Sequence, residues 1–156
     1  MRRLKRFGAF LVGQEVVPPV QTLATGKVVL RVSRDGKKIF FRLVVRNIRK
    51  MTKAHIHLGR LGQNGPIVAT LFGPSKFGIS VKHGVVEGTL TAKDLTGPLK
   101  GKTIQALVTQ IEKGNAYVDV ATVRHPNGEI RGQLVRALPP HFRHKPHGFP
   151  KPFIFC

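Results

Sequence analysis

Tryptophan is absent from this 156-residue chain, cysteine occurs once, and 7 acids face 27 lysines and arginines. Each shortage excludes something. The single thiol, Cys156, is the last residue, so no internal disulfide can form; it either stays free or pairs with another molecule. A free thiol is the ordinary state in a reducing cytoplasm. No stretch approaches the ~20 apolar residues of a membrane-spanning helix. The apolar run Phe7-Gly-Ala-Phe-Leu-Val12 follows a basic start but is too short for a secretory signal, so synthesis in a cytoplasm is the expectation. No Ser/His/Asp set and no cysteine pair for a zinc finger is present, and the glycines of Gly59 to Gly65 lack the Lys-Ser/Thr of a phosphate loop. An enzyme is not expected.

What is abundant is positive charge, a formal +20, together with 17 glycines and 11 prolines. Such a surface repels itself and attracts polyanions. The cations are spread over nearly every segment and no nucleic-acid-binding motif occurs, which argues for loose polyanion attraction and against sequence-specific nucleic-acid recognition. The phenylalanines of the strands are expected in the core.

Period-two patterns favour an all-β domain of seven or eight short strands with one short helix. Val28, Leu30 and Val32 share one face, Asp35-Gly36 marks a hairpin, and Ile39, Phe41, Leu43 and Val45 return on the same side. Further strands are expected at Lys53 to Leu58, Pro66 to Phe72, Val85 to Thr91, Tyr117 to Thr122 and Glu129 to Val135. Ile104, Leu107, Val108 and Ile111 fall on one helical face that ends at Lys113-Gly114. Residues 1–6 read as a basic tail and 7–138 as the domain. Residues 139–156 read as a Pro-, His- and Phe-rich arm whose Phe142, Phe149, Phe153 and Phe155 need something to dock on.

Five ordered stretches carry a resemblance. They are Gly13-Gln-Glu-Val-Val-Pro-Pro-Val20, Ala54-His-Ile-His-Leu-Gly59, Gly62-Gln-Asn-Gly-Pro66, Gly114-Asn-Ala-Tyr-Val118 and His125-Pro-Asn-Gly-Glu-Ile-Arg-Gly-Gln133. Together they resemble the chordin-type (CHRD) domain over roughly residues 7 to 135. The resemblance implies a Greek-key β-sandwich similar to the copper/zinc superoxide dismutase fold and a binding module; it does not imply dismutase activity.

His55 and His57 alternate with Ile56, so both rings leave one strand face, roughly 7 Å apart, and could chelate a transition metal. The alternative is that they hydrogen-bond to backbone and loops, and no cofactor is the expectation. The chordin-type pattern implies a third histidine after the Tyr117 strand, but Ala121 stands there; His125 is the nearest substitute. Glu129 and Arg131 share a strand face, and Glu15 lies in another of the five stretches. A Glu15–Arg131 or Glu129–Arg131 ion pair is expected to clamp the sandwich.

The first functional expectation is a non-enzymatic structural or surface-coat subunit that self-assembles by strand addition at a sheet edge or by arm exchange. By composition alone it is similar to spore-coat proteins, deposited on a spore or cell surface. The alternatives are a monomeric binding module for an acidic polymer or protein, and a metal-dependent dismutase-like protein.

Overall fold

The computed structural model describes residues 5–137. Cys156 and the arm residues Phe142, Phe149, Phe153 and Phe155 lie outside them. Eight strands follow in chain order: β1 Arg6–Leu11, β2 Thr25–Val32, β3 Ile39–Leu58, β4 Ile67–Phe72, β5 Ile79–Leu90, β6 Ala116–Thr122, β7 Ile130–Gln133 and β8 Val135–Arg136. One α-helix, α1 at Ile104–Glu112, joins β5 to β6. The fold is all-β, and every strand pairing is antiparallel.

The 20-residue β3 organises the molecule. The sequence reads as two strands here, but the chain continues through both. Its first half pairs with β2 on one side and β5 on the other; its second half pairs with β4 and β6. The bend between the two halves is made at Asn47 and Lys50, whose φ values of 54° and 50° are left-handed, with bulges in the pairing on both sides. Such bulges let a strand bend while keeping its ladder. The polar run Arg46-Asn-Ile-Arg-Lys50 is therefore a corner and not a loop.

The sheet then closes on itself. In the path β7-β6-β3-β2-β1-β8, Val12 just past β1 bridges to Arg131 in β7, with Val12 N–H to Arg131 C=O at 3.1 Å and the reverse bond at 3.0 Å. A Cβ at Gly132 would collide with the Phe10 carbonyl, so this close approach of β7 to β1 requires glycine. Lys5 and Arg6, read from sequence as tail, belong to the fold: β1 begins at Arg6, and Lys5 Nζ lies 3.2 Å from Glu112.

Alternation fills the interior. Val28, Leu30, Ile39, Leu43 and Ile56 are fully buried, as are Leu107 and Val108 of α1. Thr103 caps α1 by accepting the Ala106 N–H at 3.2 Å, and Gly114 ends it at φ 75°. Not every phenylalanine is core: Phe7 and Phe41 are buried, whereas Phe10 and Phe77 are exposed. No described helix is long and apolar enough to cross a membrane.

Candidate functional site

The second half of β3 lies beside β6, and this pairing sets His55 opposite Asp119 and His57 opposite Tyr117. All seven residues of β6 are buried, so the carboxylate of Asp119 must find partners. It receives His57 Nε2 at 2.9 Å. The other ring nitrogen, Nδ1, lies 2.9 Å from the carbonyl of Gly65. A carbonyl only accepts, so Nδ1 carries a proton and Nε2 is the nitrogen presented to Asp119. Burial by itself would lower the His57 pKa, but the hydrogen bond and charge of Asp119 outweigh it and hold the value above 6.5. His55 stands edge-on to His57, ring centroids 5.8 Å apart. Desolvation lowers its pKa, more than the Asp119 charge restores. The His55 ring forms no hydrogen bond among the described residues.

A stack supports this group. The His57 ring lies parallel to Tyr117 at 4.7 Å, and the Arg131 guanidinium sits 3.5 Å from the Tyr117 ring centroid. Arg131 donates to the Arg60 carbonyl at 3.0 Å and to Asn64 Oδ1 at 3.2 Å; Asn64 in turn donates to the Val17 carbonyl at 2.9 Å. The Tyr117 hydroxyl accepts the Gly65 N–H at 3.0 Å. The 59–66 loop is thus held by Arg131 and Tyr117, and it supplies the carbonyl that orients His57. A Cβ at Gly65 would collide with the Leu58 carbonyl, and one at Gly59 would lie 2.8 Å from the Tyr117 ring. The five stretches scattered through the sequence converge here, through Val17, His57, Asn64, Tyr117 and Arg131.

Several expectations require correction. Arg131 pairs with neither Glu129 nor Glu15. The Glu129 carboxylate is taken by two hydroxyls, Thr22 at 2.6 Å and Thr122 at 2.8 Å, and Arg131 spends its donors on the 59–66 loop. Glu15 forms no ion pair among the described residues and acts on Arg131 only as a nearby charge. His125 does not join His55 and His57; its backbone N–H donates to Thr122 Oγ1 in the turn before β7. The third ligand-capable group is Asp119, two residues before Ala121 and on the same side of β6. Period two places 117, 119 and 121 together, so a lone acid in an apolar strand was the available signal.

A second feature is the solvent face of the β1–β2–β3–β5 sheet. Register sets Thr25, Arg46 and His83 in one cross-strand row and Phe10, Lys27, Val44 and Val85 in the next. Gly8, Val29, Arg42 and Glu87 form the third row, and Arg6, Arg31, Phe40 and Thr89 the fourth. Five cations with His83 share this face with one acid, Glu87, which lies 3.8 Å from Arg42. Arg31 lies over Phe40 at 4.8 Å. The outer edge of β5, 12 residues long, has no strand partner among the described residues.

Comparison with curated proteins and with solved structures gives no match. The family model of the CHRD domain, in contrast, matches residues 7–134 and takes in β2 through β7, all of β1 but Arg6, and the convergent stack, so the chain belongs to the CHRD domain family.

Proposed function

We propose that this CHRD domain is a non-enzymatic binding module for an acidic polymer or an acidic protein surface, engaged by the outer face of the β1–β2–β3–β5 sheet. The observation that carries the reading is the clustering of Arg6, Lys27, Arg31, Arg42 and Arg46 on one side, where Glu87 is the one acid among the described strand residues. On a sheet, cations two residues apart stand about 7 Å from each other and neighbouring strands about 4.8 Å apart, spacings suited to successive phosphates or carboxylates on a chain. Arg31 lies over the Phe40 ring of the same face, an apolar surface along which an arginine stem can pack while its head stays in water.

Binding of this kind is dominated by release of counterions. Affinity for sodium polyphosphate should fall linearly on a log–log plot against salt, and mixed oligonucleotides of different sequence should bind alike. Salt-insensitive binding, or a strong preference for one sequence, would contradict the reading.

The open edge of β5 favours a second reading, a self-assembling coat or fibre subunit. Ile79 and Val85 are 45% and 43% exposed along it, and an unpaired edge can accept a strand from another copy. A net charge of +20 opposes this association between bare chains, which is why the polyanion reading comes first. If assembly runs by arm exchange, deletion of residues 139–156 removes polymers in light scattering and electron microscopy while the domain still melts cooperatively. Polymers that persist without those residues would remove the arm from the process.

A further inference from the structure

We propose that His55 Nδ1 or Nε2, His57 Nε2 and an Asp119 carboxylate oxygen form a site for one divalent transition-metal ion, zinc or copper(II). The three ligand atoms already lie within 4.8 Å of one another. A tetrahedral ion with bonds of about 2.0–2.1 Å spaces its donors roughly 3.3–3.5 Å apart. His57 Nε2 and Asp119 Oδ1, at 2.9 Å, need only part slightly, and His55 needs a small side-chain shift. Nothing holds His55 back, because it makes no hydrogen bond among the described residues. Three protein ligands leave a fourth position for water or an external donor.

Two imidazoles and a carboxylate suit zinc and copper(II) rather than calcium or magnesium, which take oxygen donors. The orientation that a metal requires is already built. Gly65 C=O holds the proton on Nδ1 of His57 and so directs Nε2 to the ion, while Tyr117 and Arg131 fix the ring and the loop behind it. Such outer partners are the usual means of orienting a ligating histidine. A bound ion replaces the proton on Nε2 that otherwise joins His57 to Asp119, and that proton goes to solvent.

The test is zinc chloride titration of the full chain after chelator treatment, by calorimetry, with the copper(II) spectrum as a second readout. The expected result is one ion per chain at this site, two nitrogen ligands in the copper spectrum, and a raised melting temperature. His55→Ala and Asp119→Asn should each weaken binding by on the order of tenfold or more. Their melting in chelator checks that the fold survives. The chain also carries His141, His144 and His147, so a full-length variant with all three changed to alanine must keep the ion. Binding that is lost in that variant, or unchanged in His55→Ala and Asp119→Asn, would overturn the proposal.

Discussion

At the scale of single residues, the His57–Asp119 pair ties pH to stability. Asp119 raises the His57 pKa above 6.5 in the folded chain, so the folded state holds this proton more tightly than the unfolded one. The contribution is fully present below about pH 6.5 and is lost as pH rises through the folded value. His55 runs the other way: its lowered value means that the unfolded chain takes up the proton first, so its contribution improves as pH rises towards 6.5. Single variants separate the two. In chelator, the margin in melting temperature of the parent over His57→Gln should shrink between pH 6 and pH 8.5; a margin independent of pH would remove the charged pair from the account. The histidine pair was legible in the sequence because period two puts both rings on one face. Asp119 was not, since the family pattern points to a third histidine, at the position of Ala121 or its neighbour His125, and not to a carboxylate. Nor were the partners of Arg131, because they are backbone groups and an asparagine in a loop fixed only by the tertiary fold.

The elements follow the sequence where alternation is strong. The β2–β3 hairpin and α1 stand where Val28 to Val45 and Ile104 to Ile111 imply. The sequence is least legible where a strand changes surroundings along its length. The polar run Arg46 to Lys50 divides β3 into two strands in the sequence pattern, yet its residues turn a corner within one continuous sheet. β5 begins at Ile79, well before the expected Val85; its first half is largely exposed, and Ile79 and Val81 alone are too few to mark a strand by alternation. β1 shows in the sequence only as an apolar run, and its role depends on the Val12–Arg131 bridge. That closure gives a prediction at this scale. Gly132→Ala drives a methyl into the Phe10 carbonyl and should destabilise the fold by about 1–3 kcal/mol. Gly36→Ala meets no neighbour there, so it reports the left-handed backbone penalty alone and is the control. A Gly132→Ala variant as stable as the parent in chemical denaturation would mean that the β1–β7 contact yields without strain.

For the whole molecule, the decisive quantity is where the positive charge sits. Composition alone gave a diffuse +20, whereas strand register gathers five cations on the face of one sheet and leaves the His55–His57–Asp119 cluster on another part of β3. The two features are separable: a polyanion on the sheet face needs no metal, and a metal in the cluster needs no polyanion. Each also gives the fold a task for residues that packing does not explain, since Arg31, Arg42 and Arg46 are exposed and the His55 ring makes no hydrogen bond among the described residues.

The most direct test of the central claim compares two charge-matched variants in polyphosphate binding across a salt series. One is Arg31→Gln, Arg42→Gln and Arg46→Gln on the sheet face; the other is Lys93→Gln, Lys100→Gln and Lys102→Gln in the segment between β5 and α1. Losing three contacts on the face should flatten the log–log salt slope by about 2–3 and weaken binding sharply, with the lysine variant close to the parent. Equal losses in the two variants would mean that net charge alone attracts the polymer, and the sheet face would no longer be the binding surface.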